Sequence, residues 1–293
     1  MNMEIIGIDE KLCVSCGSCI NVCIGDVFKE QDGITSVTAP SQCLLCGHCK
    51  AICPEDAINF LGLNPDEFEP MPPKEDIPLP EKLQTFFRSR RSIRIFKKMS
   101  VEREKLEKVI EAGRFAPTGG NRQPVEYSVA DTPEILGTIL DTTVKTLVDM
   151  AIKTNETVAE IEKQNKALSA KQRIGQFYAK RWLQIGEMHK KKIDGLFYHA
   201  PALIITHVNP AMSVAPGVDA GIAGAQMILL AETLGLGTCF CGFLVLAIEA
   251  NPELKNILKI PPGNKTQFTF MAGYPDITFK GLVTRYPAGV TWL

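Results

Sequence analysis

Cys13, Cys16, Cys19 and Cys23 form one run, and Cys43, Cys46, Cys49 and Cys53 a second, each spaced C-x-x-C-x-x-C-x-x-x-C. The first three cysteines of such a run fit around one cubane cluster, and the fourth lies too far along to reach it and crosses to the other. That assigns Cys13, Cys16, Cys19 and Cys53 to one [4Fe-4S] cluster, and Cys43, Cys46, Cys49 and Cys23 to a second. Such clusters move single electrons. A structural zinc site closes with four ligands and leaves the repeated third and fourth cysteines unused. A disulfide framework needs an oxidising compartment, to which nothing here points. Both readings rank behind clusters. Pro54 follows Cys53, whereas Ile24 stands after Cys23; a proline there shapes the turn and binds no iron.

Three further segments could do chemistry. Arg90-Arg91-Ser92-Ile93-Arg94 gathers three guanidiniums and a hydroxyl, a candidate phosphate site because Arg offers forked donors that match phosphate oxygens. A solvated basic turn would read the same. Ala116-Pro117-Thr118-Gly119-Gly120-Asn121-Arg122-Gln123-Pro124 is a loop in which Asn121 and Gln123 offer amides able to read the edge of a heterocycle; alone it could be only a turn. Gly235-Leu236-Gly237-Thr238-Cys239-Phe240-Cys241-Gly242-Phe243 has glycines that let backbone approach a flat ligand. Cys239 and Cys241 could be a redox pair or a metal site, but read more simply as small buried residues. Among the histidines, His48 lies between cluster ligands, His189 and His199 have no ligand-like partner, and His207 reads as a satisfied core imidazole.

The elements that must position these residues fall into two domains, 1–62 and 83–293, joined by a linker over 63–82. The first is internally repeated, opens on a short strand from Glu4 to Ile8, and is small enough to need its clusters for folding. The linker carries Pro65, Pro70, Pro72, Pro73, Pro78 and Pro80 and is expected to be extended and stiff. Beyond it, Leu83, Phe86 and Phe87 suggest a short helix. Ser100 is placed to cap a second, with Leu106, Val109, Ile110 and Gly113 on one face. Val125–Ala130, Ala202–Val208 and Gln267–Gly273 read as strands, 134–195 as mostly helical, and Val218–Leu234 as a buried helix ended by Gly235. The tail from Arg285 to Leu293 has no partner in this scheme. Helices and strands mix without βαβ alternation, which predicts an α+β domain.

Apolar content of 45% and charged content of 22% are those of a globular protein. No run of about 20 apolar residues suits a membrane span, and no basic-then-apolar leader is seen, so a cytoplasmic, anaerobic setting is expected. Net charge is −1, yet residues 1–62 carry eight acids against three lysines, and opposed signs favour docking of the two parts. Residues 141–199 hold 11 Lys and Arg against 7 acids. No basic and aromatic surface emerges elsewhere, which argues against nucleic acid.

Taken in order, R-R-S-x-R, A-P-T-x-x-N-x-Q-P, Asp219-Ala220-Gly221-Ile222-Ala223 with its long helix, G-L-G-T-C, and Gly273-Tyr274-Pro275 resemble the nitroreductase family of FMN oxidoreductases. With the cysteine runs, the chain resembles a fusion of a two-cluster bacterial-type ferredoxin to a nitroreductase-like domain with a mixed sheet. The resemblance implies that Arg90, Ser92 and Arg94, with Arg91 among them, contact the FMN phosphate and ribityl chain. Pro117, Thr118 and Gly119 would reach the flavin from a partner subunit, Asn121 and Gln123 would lie near its ring, and the Cys241–Gly242 backbone would face N5 and O4. Arg285, or less directly Lys280, would serve the phosphate. It also implies a homodimer with FMN at the interface, C-terminal tails that wrap the other subunit, and Phe177, Tyr178, Trp182, Phe197 and Tyr198 as pocket candidates.

The expected function is an FMN oxidoreductase whose clusters relay electrons to or from the flavin, reducing small, flat, electron-poor substrates such as nitroaromatics or quinones. No G-x-G-x-x-G follows a strand, so there is no Rossmann site; NAD(P)H stacked on the flavin or an external ferredoxin would be the donor. The alternative is an electron-transfer partner or redox sensor with little turnover of its own.

Overall fold

The computed structural model describes residues 5–293. Contacts divide the chain into two units, one ending at Leu79 and including Gly120–Arg122, the other comprising Pro80–Gly119 and Gln123–Leu293.

In the first unit β1 (Ile6–Ile8) pairs antiparallel with β4 (Ile58–Phe60), and β2 (Phe28–Gln31) with β3 (Ile34–Val37). Two short helices, α1 (Ser18–Val22) and α2 (His48–Ala51), each carry the third cysteine of a run. The halves repeat in backbone detail: Ser15 and Leu45 have φ 55° and 50°, Gly17 and Gly47 72° and 77°, Asp26 and Asp56 49° and 51°. The core is little more than Ile6, Val27, Phe28 and Ile58 with Cys19 and Cys49, too small to fold without help from bound clusters. Glu4, the expected start of the first strand, lies outside the described residues. The proline-rich segment is not extended throughout. It makes 3-10 turns at Pro65–Glu67 and Lys74–Asp76, and Phe68 between them stacks on Phe60 at 6.0 Å. An aromatic ring with apolar surface to bury overrides the stiffness of its neighbouring prolines.

The second unit is built on a four-stranded antiparallel sheet, β5 (Val125–Ala130), β6 (Ala202–Val208), β7 (Gly237–Phe240) and β8 (Lys265–Gly273), in the order β5-β6-β8-β7. All of β6 is buried, and its alternate residues serve opposite cores. Ala202 and Ile204 join Leu106, Val109, Met227 and Phe270 on the face covered by α4 (Arg103–Arg114) and α7 (Pro216–Thr233). Leu203 and Ile205 join Leu147, Ile185, Leu244 and Met271 on the face covered by α5 (Pro133–Lys163), α6 (Ala170–Lys190) and α8 (Gly242–Ala250). A strand covered on both faces reads as a continuous apolar run, which is why its limits are visible in the sequence. α3 (Pro80–Ser89) precedes this core, and α9 (Pro252–Ile257) follows α8. Gly235, at φ 76°, ends α7, with the Leu236 N–H returning to the Ala231 carbonyl.

Ser100 does not cap α4. The N-cap is Glu102, with no side-chain cap bond, because Val101 is buried with Leu106 in one cluster and this apolar staple sets the entry of the helix. The tail beyond Pro275 has no regular structure, and Tyr286, Trp292 and Leu293 are fully or almost fully exposed.

His207 is a satisfied core imidazole. Its Nδ1 accepts from Asn264 Nδ2 at 2.9 Å, and its Nε2 lies 3.2 Å from Ser128 Oγ, which itself donates to the Leu258 carbonyl. The network assigns the proton to Nε2 and keeps the ring neutral. Burial holds its pKa below the ordinary value of 6.5. The unfolded chain therefore binds the extra proton, so this contribution is whole above pH ~6.5 and is lost as pH falls below it. Both tryptophans, Trp182 and Trp292, lie in this unit, so tryptophan-detected unfolding should show stability falling as pH drops below ~6.5. An equal loss in His207→Gln would assign it elsewhere.

Candidate functional site

In the first unit one cavity is lined by Cys13, Cys16, Cys19 and Cys53, and another by Cys23, Cys43, Cys46 and Cys49. Among the described residues no three His, Cys, Asp or Glu side chains converge on a single ion. Thiols spread around a cavity suit the corners of a polynuclear cluster better than one tetrahedral zinc. Backbone N–H groups point at the sulfurs, from Ser15 to Cys13 (3.4 Å), Leu45 to Cys43 (3.4 Å) and Ala57 to Cys53 (3.3 Å). Such donors stabilise thiolate charge and tune cluster potential. Burial pushes the Cys49 thiol up to about 12, so a bound metal is what would hold it as thiolate at neutral pH.

In the second unit Ser92 forms a parallel bridge with Thr238, and the Ile93 N–H donates to the Thr238 carbonyl at 2.9 Å. This lays Arg90–Arg94 along β7. The Arg90 guanidinium lies 5.9 Å from the Phe240 ring, and that of Arg94 6.0 Å from the Tyr198 ring. Arg90 Nη1 and Arg91 Nε are buried with no hydrogen-bond partner. Leaving such donors unpaired costs about 1–3 kcal/mol each, and a bound anion would relieve it. Arg91 otherwise donates to the Arg88, Arg90 and Gly281 carbonyls, which brings the segment beside Lys280 to the arginines. Arg285 is exposed and bonded to the Thr284 carbonyl. Burial raises the Glu232 carboxyl, while Arg90 and Arg91 pull it the other way.

A cavity of about 230 Å³ opens beside β7, lined by Arg94, Arg181, Tyr198, Cys241, Gly242 and Phe243 among others. The Cys241 N–H is spent on the Thr269 carbonyl at 3.0 Å, since it continues the sheet. The N–H left over is that of Gly242, first residue of α8 and without an intrahelical partner. Cys239 and Cys241 are both buried. Burial pushes the Cys241 thiol up to about 12, so it stays protonated and is a poor nucleophile.

The other sequence candidates scatter more widely. Asp219 of α7 accepts from the Gly119 N–H at 3.1 Å and from Ser213 Oγ at 2.6 Å, which ties down the loop of Pro117, Thr118 and Gly119. The Gln123 N–H donates to Thr118 Oγ1, and the Gln123 side chain is exposed. Asn121 groups with the first unit, where its amide donates to the Leu44 and Leu45 carbonyls. Phe197 and Trp182 belong to the core. Tyr178 stacks on Trp182 at 6.2 Å, and Phe243 meets both rings edge-on at 5.6 and 5.9 Å. Asp194 accepts from the Leu196, Phe197 and His199 N–H groups at 3.0, 2.7 and 2.8 Å. It thereby holds Tyr198 and His199 in left-handed conformation, at φ 56° and 58°, which costs about 1–3 kcal/mol per residue.

Residues 87–274 match the nitroreductase family. The chain belongs to that family. Residues 5–58 match the 4Fe-4S dicluster domain, so the chain joins a dicluster domain to a nitroreductase domain. An uncharacterized ferredoxin of Methanocaldococcus jannaschii is 34% identical over 55 residues, which are 18% of this chain and 89% of that protein. A nitroreductase with bound FMN from Desulfitobacterium hafniense is similar in fold at TM-score 0.53 and 22% identity, over 72% of this chain and 97% of that one. A second, from Bacteroides fragilis and also with bound FMN, has TM-score 0.53 and 19% identity over 72% and 98%.

Within this nitroreductase domain the sequence does not single out two side chains at the site, Arg181 and Asp194, and gives Asp219 only as part of a motif. Asp194 had a local signal, an Asp-Gly pair opening a turn; Arg181 had none. The close packing of β7 on the arginine segment is testable. A Cβ on Gly237 would lie 2.4 Å from Ile93 Cγ1 and 2.9 Å from Pro275 Cγ. Gly237→Ala is therefore expected to cost about 1–3 kcal/mol by overpacking, seen as a lower melting temperature, and to shift the Arg90–Arg94 segment. An unchanged melting temperature would show that Ile93 has room to move.

Proposed function

We propose that this chain is an FMN-dependent oxidoreductase whose two [4Fe-4S] clusters exchange electrons with the flavin, and that it reduces flat, electron-poor compounds such as nitroaromatics or quinones. The observation that carries the reading is the buried, unpartnered pair Arg90 Nη1 and Arg91 Nε, on the segment whose Arg94 lines an open cavity, which fits a phosphate-bearing cofactor. When bound, FMN takes electrons singly or in pairs and so joins one-electron carriers to a two-electron reduction. For a nitro compound, that reduction takes two electrons and two protons and releases water and a nitroso product.

The residues present divide this work. Arg90, Arg91 and Ser92 would hold the phosphate, and Arg94 the adjoining polar chain. The Gly242 N–H would donate to the flavin edge, strengthened by its place at the start of α8. Cys239, Cys241 and Phe243 would keep water from that wall. Pro117, Thr118 and Gly119 would complete the site from a second copy of the chain, with Asn121 and Gln123 near the flavin ring, and the exposed apolar tail, with Tyr286, Val290 and Trp292, supports such a homodimer. NAD(P)H or a ferredoxin-type protein would supply electrons.

Anaerobic stopped flow on the full-length holoprotein tests the relay. Reduced methyl viologen is expected to reduce the flavin at least about tenfold more slowly in Cys13→Ala than in the native chain. Equal rates would sink the relay, and NADH run in parallel shows whether a two-electron donor bypasses it.

A further inference from the structure

The cavity beside β7 has a feature that the cofactor reading leaves unused. Arg181 and Ile185 of α6 line this cavity, and Ile174, Phe177 and Tyr178 precede Arg181 on the same face of that helix. Phe177 is 72% and Ile174 57% exposed. Arg181 lines the cavity, is only partly buried, and among the described residues makes no hydrogen bond or ion pair. Arg94, which also lines the cavity, has its guanidinium 6.0 Å from the Tyr198 ring and among the described residues makes no hydrogen bond or ion pair. Among the described residues no carboxylate lines the cavity to neutralise either arginine. Asp194, the nearby acid, spends its oxygens on three backbone N–H groups.

We infer that Arg181 is a specificity-determining residue, selecting flat substrates that carry a carboxylate or similar anionic group. The rings of Tyr198, Phe240 and Phe243 line the cavity and give a planar ring a surface to meet. On α6, the Arg181 guanidinium offers a carboxylate two parallel hydrogen bonds. Arg90 and Arg91 are the buried anion donors and suit a resident phosphate. Arg181 is partly exposed and suits a ligand that comes and goes. This inference rests on the flavin reading above.

The test is binding to the oxidised, FMN-loaded full-length chain, followed by the flavin difference spectrum. 4-Nitrobenzoate and the neutral isostere 4-nitrobenzamide are titrated into the native protein, Arg181→Gln and Arg181→Lys. The native chain should prefer the carboxylate by at least about tenfold. That ratio should fall to about one in Arg181→Gln and recover in part in Arg181→Lys, with melting temperatures showing that each variant is folded. A native protein with no preference, or a preference that survives in Arg181→Gln, overturns the inference. So does FMN release from Arg181→Gln, which would assign the arginine to the cofactor, or an effect confined to flavin reduction by NADH, which would assign it to the donor. A native chain that retains no FMN fails before any ligand is added, and overturns the flavin reading as well.

Discussion

Cys53→Ala should empty the cluster whose other ligands are Cys13, Cys16 and Cys19, leaving about four of about eight irons per chain. This loss follows from the crossing of the fourth cysteine. Cys53 shares its cavity with the three leading cysteines of the other run, and Cys23 shares the second cavity with Cys43, Cys46 and Cys49. Double variants separate this from a scheme in which each run keeps its own fourth ligand. Cys53→Ala combined with Cys13→Ala should still hold about four irons, since both ligands serve one cluster. Cys53→Ala combined with Cys43→Ala should hold almost none. The reverse pattern in iron content would refute the crossing. Because the apolar core of this unit is so small, loss of both clusters should also leave residues 5–79 open to protease while the second unit resists.

The second large effect is expected at Arg90. In the protein without cofactor its Nη1 is a buried donor with no acceptor, so removing it relieves a penalty; in the loaded protein the same atom would meet a phosphate oxygen. Arg90→Met, which keeps the aliphatic volume, should therefore leave the melting temperature of the apoprotein unchanged or slightly raised, and weaken FMN about 10–100-fold, the worth of a hydrogen bond to a charged group. Quenching of FMN fluorescence gives the affinity, and melting of apo and loaded protein gives the two stabilities. A destabilised apoprotein with unaltered FMN affinity would make Arg90 a structural residue, packed on Phe240, and would move the phosphate elsewhere.

The chain itself determined whatever depends on local spacing. The cysteine runs carry their chemistry in their intervals, because a cluster of fixed size reads a fixed number of residues. The limits of β6 were legible because it is buried on both faces and a seven-residue run in which only Thr206 and His207 are polar has few other uses. The end of α7 was legible because Gly235 alone there takes the left-handed conformation without strain. The Ser100 cap was misplaced because burial of Val101 outweighed the propensity of serine.

Tertiary structure decided what no interval encodes. It made Gly237–Phe240 an edge strand by giving it β8 as a partner. It set Arg90–Arg94 against that strand through one bridge, Ser92 to Thr238, nearly 150 residues apart in sequence. It spent the Cys241 N–H on the sheet and left that of Gly242 free. It also brought Arg181 into the cavity with Arg94, two guanidiniums from separate elements. Convergence of this kind follows from how helices pack on a sheet, where many weak contacts act together, and so it becomes visible only once the chain is folded.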